Sequence, residues 1–201
     1  MSPPSLGVLA AQVYTTLAPV IVAGVLNMVW VKLPVARWAS RPIDGGRTLA
    51  DGRRVLGDHK TWKGLLGMVV LGALAGLAWG RLIQGIGLEP FDLFYARQPN
   101  TIAFSALTGA LQGLAYSLFE LPNSFLKRRV GITPGKRHGG AWTVLFVVLD
   151  QIDSVVGCAL LVLVFAPVGW AFVLVTILVG GITHIALNML LHALHLRKNL
   201  L

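Results

Sequence analysis

Two aspartates inside an apolar stretch are the most informative chemical feature of the sequence. Asp150 and Asp153 lie three residues apart in an apolar run that covers residues 140–166. In a helix this spacing places both carboxylates on one side, and a charge within a membrane span normally faces a polar cavity or a functional site. Paired carboxylates suit Mg²⁺, which proteins hold with one or two carboxylates plus substrate phosphates. The alternative is a structural ion pair with a Lys or Arg of a neighbouring helix.

A glycine-rich basic loop at residues 42–64 has the composition of a phosphate site. Its 23 residues include three Asp, five Lys or Arg, five Gly and two Thr. Glycines let backbone N–H groups approach phosphate oxygens closely, and a Lys adds positive charge. No GxxxxGK[ST] pattern occurs, so this is not a Walker loop. Lys60 and Thr61 directly precede the second apolar segment, where a helix N-terminus favours anions. An ordinary solvated loop is the alternative.

A second basic segment, residues 120–129, combines a hydroxyl with cations. In a helix, Ser124 shares a face with Lys127 and Arg128, which follow three and four residues later. A hydroxyl beside two cations suits a phosphate, and the alternative is an interfacial anchor for anionic lipid headgroups. Pro122 is expected to end or kink the preceding apolar segment, or to begin a short interfacial helix.

The composition indicates that membrane-spanning helices position these groups. The chain has 201 residues, of which 55% are hydrophobic and only 12% charged, with 17 Lys and Arg against 8 Asp and Glu and a net charge of +9. Soluble domains carry about 25% charged residues, and disordered basic tails are poor in hydrophobic residues. Both a soluble nucleic-acid binder and a disordered tail are therefore excluded. We predict a single membrane domain over residues 1–201, with no nucleic-acid partner.

Five apolar segments are long enough to cross a hydrocarbon core of roughly 30 Å as helices. The sequence therefore predicts an all-α integral membrane protein with five transmembrane helices. No cleavable signal peptide is expected, because residues 1–7 lack the basic region that such a signal needs. The predicted spans are residues 8–31, 65–83, 102–121, 140–166 and 170–191.

The distribution of cations predicts the orientation of these spans. Of the 17 Lys and Arg, eight lie between the first and second spans, five between the third and fourth, and two after the fifth. Only Arg81 and Arg97 lie on the other side, together with Glu89 and Asp92. By the positive-inside rule the N-terminus is outside, the C-terminus is cytoplasmic, and the two basic loops are cytoplasmic.

Glycines in the second and third spans indicate close helix packing. They recur every fourth residue, at positions 72, 76 and 80 and again at 109 and 113. Small residues at this spacing let helix backbones approach closely in lipid. We expect these glycines to pack helices within one chain, and the alternative is the face of a homodimer.

Taken together, these motifs resemble the CTP-transfer family of membrane cytidylyltransferases. Within that family the similarity is greater to the archaeal CDP-archaeol synthases than to the phosphatidate cytidylyltransferases, and it covers nearly the whole chain. The matching segments follow in the same order, and their five-span topology agrees. They are residues 42–44, 51–54 with 56–64, 124–129, 148–154, and His184 with Asn188.

The resemblance implies transfer of CMP from CTP to a membrane lipid phosphate, with release of pyrophosphate and a requirement for Mg²⁺. The acceptor would be digeranylgeranylglyceryl phosphate or a related isoprenoid or diacyl glycerol phosphate. Roles are carried over by matching position. Catalytic roles fall on Lys60, Asp150 and Asp153. Substrate-binding roles fall on Arg53, Arg54, Asp58, Thr61, Ser124, Lys127 and Arg128. The metal ligands would be Asp150, Asp153 and Glu120.

Two segments depart from the family pattern. Phe119-Glu120 stand where the family has Gly-Asp, so Glu120 is predicted to replace the acid with a longer side chain. Residues 135–143 differ from the short archaeal connection. This second difference indicates a bacterial variant, whose acceptor lipid need not be the archaeal one.

The predicted partners are therefore CTP, a lipid phosphate and the bilayer, with an active site facing the cytoplasm from the cell membrane. A membrane transporter or lipid flippase with a cation site at Asp150 and Asp153 is the alternative from another class. The absence of a sequence repeat argues against it, because transport sites usually lie between repeats at the midplane. A CDP-alcohol phosphotransferase and a non-catalytic scaffold are weaker alternatives.

Overall fold

The structure is a computed structural model that describes residues 4–132 and 141–194, and within these ranges it is all-helical. Five helices are long and apolar enough to cross a membrane. They are α1 (Leu6–Trp30), α2 (Trp62–Ile86), α3 (Ile102–Arg129), α4 (Ala141–Phe165) and α5 (Trp170–Ala193). The predicted fold class and all five spans are confirmed, whereas the orientation in the membrane stays a prediction. Lys136, Arg137, Arg197 and Lys198, which contribute to that prediction, lie outside the described residues.

Helices α2 and α3 approach each other closely through their glycines. A Cβ atom on Gly72 would lie 2.3 Å from the carbonyl oxygen of Gly109, and one on Gly113 would lie 2.1 Å from that of Met68. Gly76 similarly faces Ser105 across the interface. The predicted packing of glycines within one chain is therefore confirmed, and these backbones leave no room there for a side chain.

A proline inside α1 frees one backbone carbonyl, and side chains of α2 and α3 bond to α1 at this point. Pro19 has no N–H to donate to Thr15, whose carbonyl instead accepts from the Trp79 indole of α2 at 2.8 Å. The Thr16 carbonyl accepts from the amide of Gln112 on α3 at 2.6 Å. In a membrane each freed carbonyl needs such a partner, because lipid offers none. These bonds hold α1 against the α2–α3 pair.

The connection from α1 to α2 is held by a buried lysine. Lys63 is only 3% exposed, and its ammonium donates to the carbonyls of Val31 at 3.3 Å and Leu33 at 2.6 Å, just after α1 ends. Cations favour this position because the carbonyls at a helix C-terminus are unsatisfied and negative. Thr61 caps the start of α2 by accepting from the Gly64 N–H at 3.2 Å.

Helix α3 differs from the prediction at its C-terminal end. We expected Pro122 to end or kink this span near residue 121; the helix does not end there but continues through Pro122 to Arg129, and the kink stays a prediction. Buried contacts hold the added turns, since Asn123 is 7%, Ser124 4% and Arg128 6% exposed. Tertiary packing therefore outweighs the cost of one proline inside the helix.

At the other end of the bundle, the α2–α3 connection buries an acid. Asp92 is 3% exposed and accepts from the Phe94 N–H at 3.0 Å, while the Leu93 N–H donates to Thr16 of α1 at 3.0 Å. Burial, with a smaller contribution from Glu89, raises the pKa of Asp92 to about 7. The carboxyl therefore holds its proton over a pH range in which an unfolded chain has lost it.

Substitution of Gly109 by Ala should prevent close packing of α2 and α3. The new Cβ would lie 2.1 Å from the Gly72 carbonyl oxygen, so the helices must separate, at a cost of about 1–3 kcal/mol or more. We expect a clear fall in the thermal unfolding temperature of the purified protein in detergent. Gly85→Ala in α2 is the matched control, because its Cβ would meet nothing within 4 Å. Equal unfolding temperatures for Gly109→Ala and the control would contradict this packing.

Substitution of Asp92 by Asn should stabilise the protein at alkaline pH. The acid has a pKa of about 7 when folded against 3.8 for an unperturbed Asp side chain, so stability falls as pH rises from about 4 to about 7, by up to about 4 kcal/mol. Asn keeps the acceptor for the Phe94 N–H but carries no charge. We expect the variant to unfold at a higher temperature than the wild type at pH 8. Its advantage should shrink steadily as the pH is lowered toward 4, and a pH-independent difference would refute the titration.

Candidate active site

Five polar side chains form one stripe along the last two turns of α3. We call Glu120, Asn123, Ser124, Lys127 and Arg128 the α3 stripe; their spacing of three and four residues puts them on a single helix face. Leu121, Phe125 and Leu126 occupy the other faces. The stripe faces the basic loop on one side and α4 on the other. It therefore connects the three segments in which the sequence predicted chemistry.

The two aspartates of α4 meet the stripe side by side. The Asn123 amide donates to Asp150 and to Asp153, with Nδ2–O distances of 2.7 Å in both bonds. Lys127 forms an ion pair with both oxygens of Asp150. The predicted placement of both carboxylates on one side of the helix is confirmed. The ion pair with a neighbouring helix, which the sequence left as an alternative, is also present, at Asp150.

The basic loop is organised by an acid to which the sequence interpretation gave no role. Asp44 accepts from the N–H groups of Gly46 at 3.0 Å and Leu56 at 2.8 Å and pairs with Arg54 at 2.9 Å. Burial alone would raise the pKa of Asp44, but these donors together hold it below its usual value. An Asp followed by two glycines is the local signal for such a turn, and Gly45 and Gly46 both have positive φ, at 62° and 82°.

A clamp of two arginines docks this loop on the end of α3. Arg129 pairs with Asp51 at 2.7 Å and donates to the carbonyls of Arg53 and Arg54, while Arg53 donates to the carbonyl of Arg129. Arg53, predicted to bind substrate, is thus engaged with the protein backbone. Arg129 was not among the predicted site residues. A further contact of the loop with the α3 stripe is made by the Gly57 N–H, which donates to Ser124 Oγ at 3.1 Å.

The remaining cations divide into paired and unpaired groups. Lys60 forms an ion pair with Glu120 of the α3 stripe, and Arg54 pairs with Asp58 as well as with Asp44. Arg128, by contrast, is 6% exposed, and its Nε and Nη1 atoms have no hydrogen-bond partner among the described residues. A buried guanidinium with unused donors is suited to an anion, because leaving it unsatisfied costs free energy.

The oxygen atoms of the paired aspartates and of Asn123 are of the kind that Mg²⁺ takes as ligands. Two carboxylate oxygens bond the same amide nitrogen, and the buried Oδ1 of Asn123 has no partner in the described part of the chain. All are hard oxygen ligands, and Mg²⁺ needs few of them when phosphates complete its shell. Glu120 is held by Lys60, and within residues 4–132 and 141–194 no cluster of three acidic, His or Cys ligands occurs. The metal role of Glu120 stays a prediction.

An apolar cleft opens deeper along the same helices. It measures about 110 Å³ and is bounded by α1 and α5, with Tyr116 of α3 and Val155 of α4 also in its lining. Its polar members lie on α5: His184 contacts the Gln151 carbonyl at 3.2 Å, and Asn188 donates to the Gln151 side chain at 2.9 Å. Val155 follows Asp153 by two residues, so the cleft begins close to the carboxylates.

The family model and the relatives that match this chain carry the same description. Residues 12–200 match the CarS-like family model, described as CDP-archaeol synthase. The chain is 42% identical over 137 residues to the CDP-archaeol synthase of Methanoculleus marisnigri, covering 68% of this chain and 70% of that protein. It is 34% identical over 182 residues to that of Thermofilum pendens, covering 89% of this chain and 75% of the relative.

A solved structure supports the fold. It is described as an intramembrane enzyme for archaeal membrane lipids biosynthesis and superposes with a TM-score of 0.58 at 24% identity, covering 88% of this chain and 92% of that one. At this identity the likeness concerns the fold alone. The family match covers nearly all of the chain and includes the basic loop, the α3 stripe and the paired aspartates. The chain therefore belongs to the CDP-archaeol synthase family of membrane cytidylyltransferases.

Proposed function

We propose that the chain, acting as a single membrane domain, transfers CMP from CTP to a membrane lipid phosphate. An oxygen of the lipid phosphate attacks the α-phosphorus of CTP, the bond to the bridging oxygen breaks, and pyrophosphate leaves with the electron pair. No covalent protein intermediate is required, so the residues act by positioning and by neutralising charge. The observation that carries the proposal is that the α3 stripe contacts the carboxylate pair of α4 through Asn123 and also carries Arg128, a buried guanidinium with two nitrogens that lack a partner among the described residues.

The nucleotide phosphates are proposed to bind between the basic loop and the α3 stripe. Arg128 has buried donors without partners in residues 4–132 and 141–194, and an anion there would satisfy them with charge-assisted hydrogen bonds. Ser124 lies next to it on the stripe and holds the loop through Gly57. Lys60, positioned by Glu120, and Thr61 at the N-terminus of α2 add positive potential. Arg53, Arg54 and Asp58 support the site by shaping the loop.

The carboxylates of Asp150 and Asp153 are proposed to hold Mg²⁺. When bound, the ion would neutralise charge on the triphosphate and on the leaving pyrophosphate. In this structure the Lys127 ammonium is paired with Asp150. A metal ion bound to that carboxylate would free the ammonium to contact the phosphates. Since Lys127 and Arg128 are adjacent on the α3 stripe, both would then face the nucleotide.

The acceptor lipid is proposed to present its phosphate at the stripe and its chains to the apolar cleft. The apolar lining of the cleft between α1 and α5 suits part of an isoprenoid or acyl chain, and digeranylgeranylglyceryl phosphate or a diacyl glycerol phosphate has the required chemistry. With the basic loops cytoplasmic, CTP would enter from the cytoplasm at the cell membrane. Family membership favours this enzyme over the transporter considered as the alternative.

The direct test is to incubate the purified protein with labelled CTP, Mg²⁺ and a panel of lipid phosphates. We expect a CDP-lipid and pyrophosphate with at least one acceptor. No product with isoprenoid or diacyl phosphates at any divalent-ion concentration would refute the proposed reaction.

Asp150→Asn should abolish formation of the CDP-lipid without unfolding the protein. The amide keeps the size of the side chain but lacks the charge that binds a divalent cation, so we expect at least a 100-fold loss of turnover. The matched control is Glu89→Gln, which neutralises an acid at the opposite end of the bundle. Turnover by Asp150→Asn close to that of the control, at equal unfolding temperature, would exclude a metal at this carboxylate.

Arg128→Met should weaken CTP binding while leaving the protein at least as stable. Removing charge-assisted bonds to phosphate costs about 1.5–3 kcal/mol, or roughly a 10- to 100-fold rise in the Kd for CTP. Replacing a buried unpaired cation by an apolar chain of similar length is neutral or stabilising. Binding of labelled CTP and thermal unfolding measure the two effects. Arg81→Met, at the far end of α2, is the control, and unaltered CTP affinity in Arg128→Met would remove Arg128 from the site.

A further inference from the structure

Asn123 occupies an unusual position between the two aspartates of α4. It is 7% exposed and comes from α3, yet its amide nitrogen donates to both carboxylates at 2.7 Å. Since both accepting oxygens, one on Asp150 and one on Asp153, lie 2.7 Å from the same nitrogen, they are at most 5.4 Å apart. The nitrogen thus lies where a cation shared by the two carboxylates would bind.

The other half of the same amide is unsatisfied. The Oδ1 atom of Asn123 is buried and has no hydrogen-bond partner among the residues that the structure describes. A buried polar atom without a partner costs about 1–3 kcal/mol and calls for an explanation. An amide carries donors and an acceptor on one rotatable group, so half a turn about χ2 exchanges the positions of its nitrogen and oxygen.

We propose that Asn123 is itself a ligand of the divalent cation. Without the cation, its nitrogen donates to both carboxylates and offsets their mutual repulsion. With the cation, the amide turns and Oδ1 coordinates the ion together with Asp150 and Asp153, which satisfies the buried oxygen. This inference rests on the proposed function, because it assigns a third protein ligand to the metal site of that reaction. The longer Glu120 carboxylate, held by Lys60, is not needed for the third position.

A purely structural role for Asn123 makes a different prediction. If the amide only tethers α3 to α4, its removal could weaken cation binding by loosening the carboxylates but would not change how many water molecules the ion keeps. If Oδ1 is a ligand, its removal leaves one coordination position to be filled by water. The number of bound waters therefore separates the two roles.

The experiment uses Mn²⁺ as the probe on the full chain in detergent, without nucleotide. The Kd comes from the electron paramagnetic resonance signal of free Mn²⁺. The waters on the bound ion are counted by electron–nuclear double resonance in ¹⁷O-water. For Asn123→Ala we expect a Kd about 10- to 100-fold higher and one additional water on the bound ion. For Asn123→Asp, which keeps an oxygen at the same place, we expect wild-type or tighter binding and the wild-type number of waters.

Asn27→Ala is the matched control. Asn27 is also a helix-borne asparagine with a bonded nitrogen and a buried Oδ1 that no described residue partners, but its nitrogen donates to the Gly64 carbonyl at 3.1 Å, not to a carboxylate. We expect its Mn²⁺ affinity to stay within about twofold of the wild type, whatever the cost in stability.

Three results would overturn the inference. They are an Asn123→Ala protein with wild-type affinity, an unchanged number of waters in Asn123→Ala, or, should that variant fail to fold, a water gained in Asn123→Asp. If any of these results is obtained and the wild-type protein binds Mn²⁺ and forms the CDP-lipid, only the role of Asn123 is refuted. A wild-type protein that does neither refutes the proposed function and this inference together.

Discussion

The contact of α2 with α3, glycine against backbone, is the constraint from which the site follows. The two helices are antiparallel, and Gly72 faces Gly109 while Met68 faces Gly113. The same register, continued beyond Met68, brings Lys60 opposite Glu120, and these two form an ion pair. The packing of α2 against α3 in the apolar region therefore positions the basic loop against the α3 stripe.

Charge pairing in the site is nearly complete on the acidic side. Asp44 pairs with Arg54, Asp51 with Arg129, Glu120 with Lys60, and Asp150 with Lys127. The Asp44–Arg54 pair organises the loop and the Asp51–Arg129 pair docks it on α3, while Lys60 and Lys127 are held at the α3 stripe by their carboxylate partners. Two donors on Arg128 are left without partners in the described part of the chain. The ion pairs fix the framework of the site, and the buried guanidinium of Arg128 remains without a negatively charged partner in the described residues.

The sequence predicts the membrane helices and the paired aspartates well, because both signals are local. Hydrophobic length defines a span, and the three-residue spacing of Asp150 and Asp153 defines a shared face. What it could not predict depends on contacts between distant segments. Arg53 and Arg129 look like any other basic residues until the loop is docked on α3, and Asn123 becomes important only once α4 lies beside it. At Pro122 the local signal predicted an end of the helix that the structure does not have, because burial of one face of α3 outweighs the cost of the proline.

The length of α3 has a consequence for the membrane itself. Its 28 residues span about 42 Å at 1.5 Å per residue, whereas a hydrocarbon core is roughly 30 Å thick. The surplus of about 12 Å corresponds to the turns that carry the α3 stripe, so the stripe reaches the level of the lipid headgroups when the rest of α3 spans the core. A thicker bilayer would draw Asn123 and Lys127 toward hydrocarbon, and a thinner one would lift them away from the phosphates they are placed to meet. Helix length thus links the reaction to bilayer thickness, a quantity that lipid composition controls.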